Sequence, residues 1–93
     1  MTENDSPDFS AKKVTSYSQD ELADHYARLG DRAAKLMRLE TNYRDQGEAA
    51  ERSGDISAAL DFRGLRAEAR SMLESVAKNR AAVQVEHDLR NLD

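Results

Sequence analysis

Ninety-three residues, 39% of them hydrophobic, 34% charged and one a proline, leave room for one small domain with a narrow apolar core. A net charge of −4 and a pI of about 5.1 disfavour general attraction to nucleic acid or to an anionic membrane. The lack of cysteine excludes disulfides, thiolate metal sites and a cysteine nucleophile, and no apolar run approaches the ~18 residues of a bilayer span.

Residues 1–16 hold Thr, Asn, Asp, Ser and the only proline, Pro7, and carry no helical stripe. They read as a flexible tail without an apolar leader segment, and a cytoplasmic address is expected. Phe9 and Val14, beside Lys12 and Lys13, form a candidate short docking motif; an unstructured leader is the plainer reading.

A helical domain is expected over 17–93. Ser18-Gln19-Asp20-Glu21 has the form of a capping box, in which the serine hydroxyl accepts from the N3 amide and Glu21 reaches back to the Ser18 amide. Tyr17 and Leu22 are spaced for a hydrophobic staple across it. Apolar positions then run Leu22, Tyr26, Leu29, Ala33 and Leu36, are interrupted at Glu40, and resume at Tyr43, Gly47 and Ala50. Steps alternating between four and three make a coiled-coil-like seam, and Leu39 can carry it past Glu40. Gly30 and Gly47 each cost about 1 kcal/mol inside a helix and mark either a bend or a close helix contact. The stripe continues across both, so one long helix is predicted.

Ser53-Gly54-Asp55 predicts a break, with Gly54 in the left-handed conformation and Asp55 capping the next helix. The second stripe reads Ile56, Ala59, Phe62, Leu65, Ala69, Met72, Val76 and Val83, widened by Leu60, Leu73 and Ala77. Val85, Leu89 and Leu92 read as a drift of the same stripe, since 3.6 does not divide seven. Six acid-before-base pairs at i, i+4 (Asp24–Arg28, Asp31–Lys35, Glu40–Arg44, Glu48–Arg52, Glu74–Lys78, Glu86–Arg90) support helix throughout.

The expected fold is therefore all-α: an antiparallel hairpin of two helices, each roughly 50 Å long, completed to a four-helix bundle by dimerisation. A third helix made by a break at Gly30 or near Asn79 is the competing arrangement. Met37, Leu39, Leu60 and Leu73 are expected to flank the seam and stay partly exposed, which usually signals a partner.

From Glu40 to Arg66 the chain resembles one tetratricopeptide-type helix-turn-helix unit. Tyr43 stands at the family's first large aromatic and Gly47 at its packing glycine. Gly54-Asp55 matches the turn, and Ala59, Leu60 and Phe62 match the opening of the second helix. Arg63 and Arg66 depart from the pattern, as does the lack of a closing proline. The resemblance implies a tight Gly-Asp helical turn and a peptide- or protein-binding habit. The microtubule-interacting and trafficking type of three-helix module has a similar turn.

Chemistry-bearing constellations are scarce. His25 follows Glu21 by one turn and His87 lies between Glu86 and Asp88; without a Glu-x-x-His motif both read as solvated, and no metal site is assigned. Ser53, Ser57, Ser71 and Ser75 fall at a turn or on helix surface, and the four glycines are too scattered for a phosphate loop. No enzyme activity and no cofactor are expected. The expected function is a small adaptor or regulatory subunit that binds a partner helix, or a second copy of itself as a homodimer, through a seam of Leu22, Tyr26, Leu29, Leu36, Tyr43, Phe62, Leu65, Met72 and Val76. The alternative is a dimeric nucleic-acid-associated regulator using Arg63, Arg66 and Arg70, with a second basic ladder at Arg28, Arg32 and Lys35.

Overall fold

The computed structural model describes residues 13–92. Two long helices, α1 (Gln19–Arg52) and α2 (Ile56–Arg90), fold back on one another as an antiparallel hairpin, and no strand occurs among the described residues. At 1.5 Å per residue each arm is about 50 Å long. Both run unbroken through Gly30 and Asn79, so the three-helix arrangement is not adopted.

The capping box closes in both directions: the Ser18 amide donates to Glu21 Oε1 at 2.8 Å, and the Glu21 amide donates to Ser18 Oγ at 3.1 Å. Tyr17 and Leu22 are both buried in the core, as a staple requires. At the far end Gly54 adopts φ +81°. Its amide donates to the Glu51 carbonyl at 3.0 Å and that of Asp55 to the Ala50 carbonyl at 2.9 Å, a Schellman pair that satisfies the last carbonyls of α1. The Asp55 carboxylate then accepts from the Ala58 amide at 3.1 Å and starts α2.

On α1 the inward face is Leu22, Tyr26, Leu29, Ala33, Leu36, Glu40, Tyr43, Gly47 and Ala50, each buried or half-buried. Glu40 does not interrupt this face; it is part of it. On α2 the inward face is Ala59, Phe62, Arg66, Ala69, Leu73, Val76, Arg80, Val83, Glu86 and Arg90, again in steps of three and four. This corrects the stripe read from hydrophobicity. Three successive steps of three from Ile56 to Leu65 rotate a helix off its packed face, and Ile56 is 63% exposed, Leu65 39% and Met72 46%. Arg66 and Leu73 occupy the positions those two residues were expected to fill. Val85, Leu89 and Leu92 do not continue the inward stripe either; Val85 and Leu89 lie exposed on another face of α2 and Leu92 is exposed beyond its end, while Val83 and Arg90 carry the packing to the helix end.

Within the stretch expected to be a tail, residues 1–12, including Phe9 and Lys12, lie outside the described residues. Val14–Ser16 form a single 3-10 turn, and Val14 packs half-buried against the core. The reason is local: Tyr17 must enter the core to staple the capping box, and it draws the preceding turn in with it. Of the six i, i+4 pairs, Asp24–Arg28 closes at 2.9 Å and Glu86–Arg90 at 2.7 Å, whereas Glu40 is taken by a partner on the opposite arm.

Candidate interaction surface

That partner is Arg66, whose Nε donates to Glu40 Oε2 at 2.7 Å. Arg70 approaches the same carboxylate oxygen at 3.9 Å, and Arg63 donates to Glu51 Oε2 at 2.9 Å. The Arg66 hydrogen bond, with the nearby cations, holds the Glu40 carboxyl below its usual value; desolvation opposes the shift without reversing it. The three arginines singled out as anion contacts thus reach across the hairpin to α1 carboxylates.

Arg80 is set differently. Its guanidinium lies over the Tyr26 ring, 4.3 Å from the centroid, and against Gly30, where a Cβ would stand 3.1 Å from Nη2. Its buried Nε has no hydrogen-bond partner among the described residues, and the π-face of Tyr26 offers the charge a favourable contact. Gly47 fills the corresponding role near the turn: a Cβ there would meet Phe62 Cβ at 3.4 Å, and Tyr43 and Phe62 stack at a tilt with centroids 6.4 Å apart. Both α1 glycines are therefore close-approach points.

At the open end, Arg90 ties the chain termini of the hairpin together. It donates to the Tyr17 carbonyl at 2.7 Å, to the Thr15 carbonyl at 3.3 Å and to Gln19 Oε1 at 2.9 Å, while Glu86 accepts from its Nε at 2.7 Å. His25 lies beneath the Tyr17 ring, edge to face at 5.3 Å between centroids. It is 3% exposed, which corrects the reading of this residue as solvated. Burial, and then the charge of Arg28, lower its imidazole pKa from the ordinary value, while Asp24 acts the other way.

No family model, curated protein or solved structure gives a significant match to this chain. The reading of its surface rests on its own geometry.

Of the nine seam residues, Leu22, Leu29, Leu36 and Val76 are buried between the arms and Tyr26, Tyr43 and Phe62 half-buried; Leu65 and Met72 are exposed. The packed seam is thus consumed within the hairpin. What stays open is a groove alongside it. One hollow of about 450 Å³ is lined by Leu22, Ala23, Tyr26 and Val83 among others. A second, of about 650 Å³, is lined by Tyr26, Ala33, Met37, Leu73, Ala77 and Ala81 among others. The two share Tyr26 and Gln84. From Gln19 to Met37 the α1 side of this groove spans about 27 Å at the helical rise. Its walls are mostly apolar and its alanines keep it shallow enough for another helix to approach closely. Met37, at its rim, is 58% exposed.

Sequence reasoning missed Arg80, Arg90 and His25 as structural contacts. Arginine and histidine score as polar at any helical position, so only the 3–4 spacing from Val76 and Val83 points to Arg80 and Arg90. His25 stands three after Leu22 and four before Leu29, but Tyr26 satisfies the same spacing in reverse and is the more apolar choice. Among the described residues no group of three or more His, Cys, Asp or Glu side chains could hold a metal ion, and no helix is long and apolar enough to cross a membrane.

Proposed function

We propose that this chain is a protein-interaction module, an adaptor or regulatory subunit of the cytoplasm, that receives a helix in the groove between Ala23, Tyr26, Ala33 and Met37 on α1 and Ala77 and Ala81 on α2. The occupant is a partner's amphipathic helix or a second copy of the chain. The observation carrying this reading is the continuous apolar groove beside a seam that is already filled. Contiguous exposed apolar surface on a chain of this size is a common mark of association, and helix-in-groove packing is a recurring mode of recognition. The likeness of residues 40–66 to a tetratricopeptide-type unit adds to it, since the close Gly47–Phe62 approach is what a packing glycine provides. Arg63 and Arg66 are engaged with Glu51 and Glu40, which favours the protein-binding reading over one that needs these arginines on phosphates.

The test uses Ala81→Glu and Met37→Asp, both at exposed positions that leave the core untouched. Each is expected to lower the mass of the native assembly in solution, or to release the co-purifying chain, with helicity retained. Unchanged mass and unchanged co-purification in both variants would overturn the proposal.

A further inference from the structure

We propose that the outer side of α2 is the contact between two copies of this chain, which pair α2 against α2, antiparallel, about a two-fold axis level with Met72 and Leu73. The contact is a different surface from the groove and stands independently of the reading given to it.

A second stripe runs along α2 outside the packed face. It comprises Ile56, Leu60, Ala67, Ser71, Glu74, Lys78, Ala81, Val85 and Leu89, all of them exposed. The steps are of three and four with one of seven, so these residues share one side of the helix. Ile56 is 63% exposed, Leu60 58%, Val85 57% and Leu89 58%. Single exposed leucines are ordinary on a protein surface. These four large side chains are instead gathered at the two ends of one stripe, and its middle is small or polar.

The two ends are placed symmetrically. Ile56 and Leu89 are equidistant from the point between Met72 and Leu73, and so are Leu60 and Val85. An antiparallel pair of helices with its two-fold axis at that point sets Ile56 against Leu89 of the second copy and Leu60 against Val85. Large apolar residues then meet at both ends of the contact.

Charge selects the same direction. Arg70 and Glu74 are one turn apart on one edge of the stripe. In the antiparallel register each Arg70 comes level with Glu74 of the second copy to within one residue, twice by symmetry. Arg70 is free to take part, since its side chain is 64% exposed and stands 3.9 Å from Glu40. Lys78 comes level with Ala67 of the second copy, whose methyl leaves room for the lysine stem. A parallel pair in register would set Glu74 on Glu74 and Lys78 on Lys78, and like charges so placed are repulsive.

Along about 50 Å of helix, a strip about 10 Å wide buries on the order of 1,000 Å² over the two copies, the low end for a specific interface. The dimer is therefore concentration-dependent. It leaves the α1 wall of the groove open, although Glu74 and Ala81 border both surfaces.

The chain has no cysteine, so introduced thiols report the register without background. Leu60→Cys and Val85→Cys chains, mixed in equal amounts and oxidised in air, are expected to give a disulfide-linked dimer. Either variant alone should give little, because in this register Leu60 lies about 37 Å from Leu60 of the second copy, whereas a disulfide needs Cα atoms within about 7 Å. Leu60→Asp combined with Leu89→Asp, both at exposed positions, should halve the mass in solution with helicity retained. Met37→Asp, on the α1 rim of the groove, should leave the mixed cross-link intact. No mixed dimer, equal yields in all three samples, or Leu60→Cys linking to itself would overturn the alignment. Loss of the cross-link in Met37→Asp would move the contact to the groove, and a lower mass in Met37→Asp without any mixed cross-link would leave the groove standing and this contact refuted.

Discussion

Replacing Gly30 with alanine sets two opposing effects against each other. Alanine in a helix interior is favoured over glycine by about 1 kcal/mol, and Gly64 offers the undisturbed case: it lies within α2, and a Cβ there meets nothing within 4 Å. Gly64→Ala should therefore stabilise the hairpin by about 1 kcal/mol. At Gly30 the new methyl would stand 3.1 Å from Arg80 Nη2 and 3.4 Å from Cζ, inside ordinary contact distance. The guanidinium is the far end of a flexible side chain and can yield, but yielding takes it off the Tyr26 face. A cation–π contact of this kind is worth roughly 0.5–2 kcal/mol, the upper end when desolvated. Gly30→Ala should thus come out near neutral or mildly destabilising, about 0.5–2 kcal/mol worse than Gly64→Ala. Urea unfolding followed by circular dichroism, with both variants at one protein concentration, measures the difference. Introducing Gly30→Ala into an Arg80→Ala background closes the cycle: there the alanine should recover the full propensity gain. Equal stabilisation by both glycine variants in the unmodified background would refute the role given to Arg80.

The face assignment predicts an asymmetry between two leucines. Leu29→Ala, at a buried position of the core cluster, should cost about 2–5 kcal/mol in urea unfolding, and Leu29→Asp should abolish the fold. Leu65, exposed on the flank of α2, should tolerate Asp with helicity retained; loss of helicity there would return it to the packed seam. Acid stability should depend on Glu40. Its folded pKa lies below the ordinary 4.5 because of Arg66, so its contribution is fully present above 4.5 and is lost as pH falls through the depressed folded value. Glu40→Gln should flatten that part of the stability–pH curve, and an unchanged acid slope would contradict the inward-facing pair.

The first arm was legible in the sequence because its inward positions are nearly all apolar and its start and stop are written in local chemistry. Ser18 and Glu21 close on each other over three residues, and Gly54 takes the one backbone conformation that suits glycine, so neither needs information from the other arm. The second arm was legible as a helix but not as a face. Three of its inward positions are Arg66, Arg80 and Arg90, whose apolar stems pack while their charged ends reach Glu40, Tyr26 or backbone carbonyls. A ranking by hydrophobicity passes over them and selects Leu65, one residue from Arg66, and with it Met72, one residue from Leu73. The groove was not legible for the same reason: it is defined by which side of the true seam Met37, Ala77 and Ala81 fall on, and that depends on pairing two arms whose only long-range clue is charge. His25 was read as solvated because Tyr26 takes the same place between Leu22 and Leu29, and the Tyr17 ring that meets it comes from outside the helix.

The inward arginines also determine how far one arm can slide along the other. A heptad slip of α2 preserves the alternation of large and small apolar residues and would cost an all-leucine seam little. Here it would set Leu73 against Glu40 and move Arg66 to the level of Gly47, breaking the 2.7 Å ion pair in a half-buried strip. The same slip would carry Arg80 off Tyr26 to the level of Ala33, which has no π-face to offer. Polar residues at packed positions give up cohesion for selection among axial registers. In this hairpin, with the Gly54 turn at one end and Arg90 on the Thr15 and Tyr17 carbonyls at the other, the observed alignment is the one that seats Arg66 on Glu40 and Arg80 on Tyr26.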